Sequence, residues 1–185
     1  MNTDELEALL EGAEETYALE FKTAMDWSQS LIRDILAMAN VQDGGRIVIG
    51  ITDDTHARKG LSDDHIATYN TETIQDQVAA FADPRVEFRT EVVRDRQGLK
   101  FIVIDVRPFE TIPVVCRRDG KDLNEGDIYY RSRTGRPASA RVKRSSDMRD
   151  IIEVAMARSR QRLSRIGFVP KPDTGPDYDQ ELGGL

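Results

Sequence analysis

Asp43-Gly44-Gly45-Arg46-Ile47-Val48-Ile49-Gly50-Ile51 opens on a tight turn and runs into a stretch that is apolar on both faces. A strand sends successive side chains to opposite faces, so a run apolar on both is covered on both and lies at the centre of a sheet. Toward the N-terminus, 28–40 carries Leu31, Ile32, Ile35, Leu36 and Ala39 at helical spacing, with Asp26 or Ser28 available as a cap. Before it, Tyr17, Leu19 and Phe21 alternate with Ala18, Glu20 and Lys22, the pattern of a two-faced strand. Leu6, Leu9 and Leu10 mark a short amphipathic helix over 4–10 whose acidic first turn suits the helix dipole, with Gly12 as its stop.

In the other direction, a polar loop over 53–69 leads to a helix over 72–81, with Ile74, Val78 and Phe81 on one face and Pro84 closing it. Val86, Phe88, Thr90 and Val92 then alternate with Glu87, Arg89 and Glu91. Asp95-Arg96-Gln97-Gly98 makes a turn and 99–106 returns as a mostly buried strand, which together make a hairpin. Two short strands follow, over 112–116 and 127–131. Ser145 or Ser146 caps a last helix that runs to about 166, its apolar residues giving way to Arg158, Arg160, Arg162 and Arg165. The order predicts a single α+β domain: a mixed β-sheet including a hairpin, helices packed on it, and a basic C-terminal helix. The segments are an N-terminal helix over 1–14, the domain over 15–145, the basic helix over 146–167 and a flexible acidic tail over 168–185.

The net charge of −7 is unevenly spread. Residues 1–128 hold 14 basic against 26 acidic side chains, 129–169 hold 11 against 3, and the tail returns to acid. An acidic body with one basic block fits a protein that meets polyanions through one surface. The plain alternative is a solvated helix face. No charge-free stretch approaches the ~18 residues of a membrane helix, and the acidic N-terminus lacks the features of a secretory signal. Cys116 is the one cysteine, which rules out an internal disulfide and, with only His56 and His65 beside it, argues against a Cys/His zinc site. Cys116 reads as a buried small hydrophobe, and the expected location is cytoplasmic, without membrane association.

No nucleophile elbow, Walker loop or dinucleotide fingerprint is present. The Gly44-Gly45 pair could offer backbone N–H groups to a phosphate, but such a pair is more often only a turn. The chemistry therefore falls to carboxylates. Glu20 and Lys22 share a strand face, as a surface ion pair if that face is open to water. Asp53 stands just past the carboxyl end of the central strand, where sheets tend to place ligand sites. Glu15 and Glu20, if the chain between them were extended, would lie ~16 Å apart on opposite faces. They can share one metal only if the chain bends between Glu15 and Ala18.

These residues carry a family resemblance. Glu15-Thr16-Tyr17-Ala18-Leu19-Glu20-Phe21-Lys22 is similar to the E-x4-E-F-K opening of the Schlafen/AlbA-like domain. Ala37-Met38-Ala39-Asn40, Gly44-Gly45, Ile49-Gly50-Ile51-Thr52-Asp53-Asp54 and Gly60-Leu61 resemble its central stretch, and Pro113 takes the usual proline position. Ile128-Tyr129-Tyr130-Arg131-Ser132-Arg133-Thr134-Gly135 resembles its closing Y-x-R-x-G segment. The resemblance runs in order from Glu15 to Ala138. It departs in one extra residue between Asn40 and the glycine pair and in lacking the Cys/His zinc site of animal members.

The resemblance implies a nucleic-acid-binding domain, in some members an endoribonuclease that cuts tRNA or rRNA, and the expected ligand is structured RNA such as tRNA, favoured over DNA. Carried over, the acidic residues fall on Glu15, Glu20 and Asp53, which would bind Mg²⁺ or Mn²⁺ through oxygen. Lys22 would steady transition-state charge. Arg131, Arg133, Arg136, Arg141, Lys143 and Arg144 would grip phosphates. The alternatives are a non-catalytic DNA- or RNA-binding regulatory module, and an adaptor that docks a protein partner through Tyr178 and Leu182 of the tail. Animal members pair two such domains to form a basic valley, so a stand-alone domain is expected to form a homodimer.

Overall fold

The computed structural model of the chain describes residues 1–11, 14–52, 56–132 and 137–168. In chain order its elements are α1 (Thr3–Leu10), β1 (Leu19–Lys22), α2 (Ser30–Ala39), β2 (Gly45–Ile49), α3 (Asp63–Ala67), α4 (Thr71–Ala79), β3 (Ala82–Asp83), β4 (Phe88–Arg94), β5 (Lys100–Val106), β6 (Val115–Cys116), β7 (Tyr129–Arg131), β8 (Ser139–Arg141) and α5 (Ser145–Arg165). The main sheet has the order β1-β2-β5-β4, with β1 parallel to β2 and the other neighbours antiparallel. This is the expected mixed sheet, and the central strand is the one apolar on both faces. Ile47 and Ile49 point into a core with α2, Ile102 and Ile104, while Val48 joins Leu6, Phe21, Phe101 and Val103 on the opposite face.

Each face has a helix because each has a stripe to bury. Asn2 and Glu5 form a capping box that starts α1, the Asn2 side chain accepting from the Glu5 amide at 2.8 Å and the Glu5 carboxylate from the Asn2 amide at 2.8 Å. The helix places Leu6 fully out of water, a burial that stabilises by ~1.5–3 kcal/mol. On the other face, α2 buries all but two of its ten residues. The hairpin turn is held by Asp95, whose Oδ1 accepts from Gln97 N at 3.0 Å and Leu99 N at 2.8 Å.

The Gly44-Gly45 pair is fixed by space. Gly44 has φ +74, and a Cβ there would stand 2.2 Å from the Val106 carbonyl oxygen. At Gly45 it would stand 2.1 Å from Met38 Sδ. The pair is a packed turn beneath α2 and not an open cradle for phosphate.

Several boundaries differ from expectation. β1 begins at Leu19, since Tyr17 and Ala18 form a turn. The 53–69 loop contains α3, capped by Ser62. α5 is preceded by Arg144 with no side-chain cap, so Ser145 and Ser146 lie inside its first turn. That turn is instead tethered by Asp147, whose Oδ1 accepts from Ser132 Oγ at 2.8 Å. The acidic tail lies outside the described residues from 169 onward, and Tyr178 and Leu182 with it. Among the described residues no helix is long and apolar enough to cross a membrane.

Candidate nucleic-acid interface and acidic cluster

The chain does bend where a shared Glu15–Glu20 site requires it. Thr16 and Leu19 exchange backbone hydrogen bonds, N to O at 3.0 Å and 3.3 Å, around the Tyr17-Ala18 turn. Glu15 is thereby folded back along β1, and its Oε1 accepts from the Phe21 amide at 3.1 Å. Period-two alternation puts Leu19 and Phe21 toward α1 and leaves Glu20 and Lys22 facing α2.

That face is mostly closed, with the Lys22 side chain a quarter exposed. Glu20 is 8% exposed, Asp34 of α2 3% and Arg131 of β7 not at all. Lys22 Nζ stands 2.5 Å from Glu20 Oε1 and 3.3 Å from Asp34 Oδ2, and Arg131 Nη1 pairs with Glu20 Oε2. The rest of the Arg131 fork is used as well. Nη2 donates to Thr16 O at 2.8 Å and Leu19 O at 3.2 Å, Nε to Tyr17 O at 3.2 Å, and Nη1 to Ser139 Oγ at 3.3 Å. A guanidinium has five donors in a fixed plane, and here they add a second partner to the Thr16 and Leu19 carbonyls of the turn and also serve that of Tyr17. Burial pulls the Arg131 pKa down to about 10, opposed by the Glu15 carboxylate. Two carboxylates and two cations thus form a closed network that pins the 16–19 turn, α2 and β7 together.

The arrangement changes the reading of several residues. Glu20 and Lys22 do share a face, but as a buried network and not a surface pair. Arg131 was expected to contact phosphate; with no exposed surface and its donors committed inside, it is a structural cation. Asp34 was missed, since nothing in a helix of apolar spacing marks one acid as facing inward. A metal at Glu20 would have to displace Lys22 or Arg131. Among the described residues no three His, Cys, Asp or Glu side chains are grouped to hold a metal ion, and Asp53, the third expected ligand, lies outside those residues, as do Arg133 and Arg136. Arg141 is half-exposed, 3.6 Å from Asp127 Oδ2, and Lys143 and Arg144 are exposed on the short link into α5.

Asn40 closes the other end of α2. Its Nδ2 donates to Val114 O at 2.8 Å and Tyr129 O at 2.9 Å, and its Oδ1 accepts from Val114 N at 2.7 Å, all out of water.

The free positive charge gathers elsewhere. A cavity of about 580 Å³ opens between the second half of α5, the 84–87 segment and the 107–112 segment. Arg85, Arg107, Arg158, Arg162 and Arg165 all line it. Arg158 lies over the Phe109 ring, 4.9 Å from the centroid, and donates to Gln42 O. Burial lowers its pKa against the opposing pull of Asp43. Among the described residues Arg85, Arg107, Arg162 and Arg165 have no carboxylate within ion-pair reach, although Glu87 and Glu110 also stand at the rim. The spacing of Arg158, Arg162 and Arg165 on one helical face was the available sequence signal; no signal linked Arg85 and Arg107 to it.

The model of the family described as "Schlafen, AlbA_2" matches residues 15–138. Among solved structures, the chain is similar to the N-terminal domain of a RecG-related protein from Nitrosomonas europaea, at 21% identity and a TM-score of 0.50, covering 77% of this chain and 94% of that domain. It is also similar to the DIP2311 protein from Corynebacterium diphtheriae, at 15% identity and a TM-score of 0.50, covering 80% of this chain. There it spans about a quarter of the other protein's length, 27%. At such identities these two likenesses speak for the fold alone. No curated protein matches the sequence. With the family model spanning two thirds of its length, and the fold in agreement, the chain belongs to the Schlafen AlbA_2 family.

Proposed function

We propose that this protein binds structured RNA such as tRNA in the cytoplasm, and that the arginine-lined cavity is where the phosphates are held. The carrying observation is the convergence of five arginines on one cavity of an acidic protein, four of them without a carboxylate partner among the described residues. Guanidinium groups without protein counter-ions are what a phosphate backbone neutralises, with release of its own counterions. Family membership supports nucleic acid as the class of ligand. The small aromatic content, 12 of 185 residues, favours phosphate and shape recognition over base stacking.

The test is fluorescence anisotropy of labelled tRNA and of a DNA duplex between ~50 and ~200 mM salt, the range over which a handful of phosphate contacts is clearly resolved. Arg85→Ala/Arg162→Ala should weaken binding and flatten the log–log salt slope by about 1.4–1.8 for the two lost contacts. Unchanged affinity and slope would refute the cavity as the site. Tighter binding of DNA than tRNA would refute the preference for RNA.

A second reading, a metal-dependent endoribonuclease, draws on the bend that returns Glu15 beside the strand of Glu20. In it Glu15, Glu20 and Asp53 would hold Mg²⁺ or Mn²⁺ once Glu20 exchanged Lys22 or Arg131 for the ion, which would supply Lewis-acid stabilisation of phosphate charge, and Lys22 would steady that charge. Incubating tRNA with either metal, with Glu15→Gln and Glu20→Gln alongside, decides it. Metal-dependent cleavage lost in folded variants would establish a nuclease, and intact tRNA would leave a binding domain.

A further inference from the structure

Helix α5 presents two faces with different neighbours. Asp147, Ile151, Val154 and Ala155 turn toward the domain. About a third of a turn away, Met148, Ile152, Met156, Leu163 and Ile166 form a line along the helix, each 37–72% exposed. Gly167 ends the helix in a Schellman motif, with Phe168 N donating to Leu163 O at 2.9 Å and Gly167 N to Ser164 O at 3.1 Å, and the ring of Phe168 prolongs the exposed run at 57%. From Ile152 the positions 152, 156, 159, 163 and 166 step by four and three, the spacing of an a/d seam. The line runs ~27 Å, broken by Ser159 between Met156 and Leu163, and forms a docking surface more than scattered exposure.

The charges on the same helix say what docks. Its first half holds Asp147, Asp150 and Glu153 against Arg149, with Asp147 buried on Ser132, and its second half holds Arg158, Arg160, Arg162 and Arg165 with no acid. A parallel copy would set arginines against arginines. An antiparallel copy sets each acidic half against a basic half, and twofold symmetry makes the surface complementary to itself. We infer that α5 of a second copy of this chain covers the line, antiparallel, about a twofold between Ala157 and Arg158. In that register Ile152 meets the partner's Leu163 and Met156 the partner's Ser159, while Ile166 falls opposite the partner's Arg149 with Met148 beside it. Glu153 lies at the seam's margin opposite the partner's Arg160, the position of a charge pair that fixes orientation. The arginine-lined cavity opens on the other flank of α5, so this dimer leaves it free, and the inference does not depend on what the cavity binds.

Sedimentation equilibrium on the full chain tests it. Wild type should show a monomer–dimer equilibrium, and Met156→Glu should raise the dimer dissociation constant by more than about tenfold, since each dimer would then bury two charges. Glu153→Arg and Arg160→Glu should each weaken the dimer, and the double swap should restore it. Circular dichroism and thermal melting confirm that the variants, all at exposed positions, keep the fold. A wild-type monomer at every concentration would overturn the inference, as would a dimer indifferent to Met156→Glu. A double swap that fails to restore association would overturn the antiparallel arrangement.

Discussion

Replacing Arg131 with leucine removes one partner of a buried ion pair and five donated hydrogen bonds together. Its guanidinium serves the Glu20 carboxylate, the carbonyls of Thr16, Tyr17 and Leu19, and Ser139 Oγ. Stripping one partner from a buried pair costs ~3–5 kcal/mol, because the remaining charge and acceptors stay desolvated. Glu20→Leu should cost less, since Arg131 would keep its three carbonyls and Lys22 would keep Asp34 at 3.3 Å. The double variant should fall short of the sum of the singles by ~1–3 kcal/mol, the coupling expected of residues in one network. Urea denaturation followed by the single tryptophan reads these values. Trp27 donates from Nε1 to Gln77 Oε1 at 2.8 Å and packs edge-on to Tyr69, so its emission reports loss of the fold. For a chain of this size the loss at Arg131 corresponds to a fall in Tm of roughly 6–20 °C. A cost at Arg131 below ~1 kcal/mol, additivity in the double variant, or a larger cost at Glu20 than at Arg131 would refute the network as described.

Asn40→Ala should cost about 3 kcal/mol or more, lowering Tm by roughly 6–12 °C, because three buried backbone groups of Val114 and Tyr129 lose their partner. Asn40→Asp should not rescue it, since a carboxylate oxygen would face the two carbonyls that Nδ2 now serves; a thermal melt near wild type would contradict this. Glu7 supplies a pH dependence. The Arg96 amide at 2.7 Å and then the Arg58 guanidinium at 2.7 Å hold its carboxyl below the ordinary 4.5. A depressed carboxyl contributes stability that is present above pH 4.5 and lost as pH falls through the folded value. Glu7→Gln should therefore lower Tm at neutral pH, and the gap from wild type should close in acid; a gap independent of pH would count against it.

What the sequence made legible follows from the range of each signal. The central strand is visible in Ile47-Val48-Ile49 because period two and double-sided apolarity are local properties. The hairpin is visible in Val86 to Val106 for the same reason. By contrast, β3 is two residues long and leaves no pattern of its own, and the apolar piece over 112–116 that contains β6 gives no sign that it pairs with β3 more than thirty positions away. The same division runs through the site. That Glu20 and Lys22 share a face is local and readable. That the face is mostly closed depends on Asp34 and Arg131, and Arg131 is 111 positions away. Arg131 reads as a surface cation because its neighbours in the chain are basic, and period two does not correct this, since Tyr129, Tyr130 and Arg131 are all buried and the strand is covered on both faces.

Among the described residues the protein holds two groups of cations under different electrostatic regimes, one closed by carboxylates and one not. Arg131 and Lys22 are matched in number by Glu20 and Asp34, so an approaching phosphate would have to break carboxylate contacts already made at hydrogen-bond distance. Arg85, Arg107, Arg162 and Arg165 line a cavity with no ion pair among the described residues to break. The net charge of −7 does not oppose binding there, because at physiological salt the Debye length is ~8 Å and a phosphate in the cavity senses the arginines around it more than the distant acidic body. The acids act on orientation instead. On the proposed reading, the acidic body would repel a polyanion that arrives wrongly turned, and the cavity face would be a favourable approach. Sequence position hid this, since the basic block read as one unit contains both regimes. Burial, which no charge count contains, separates them.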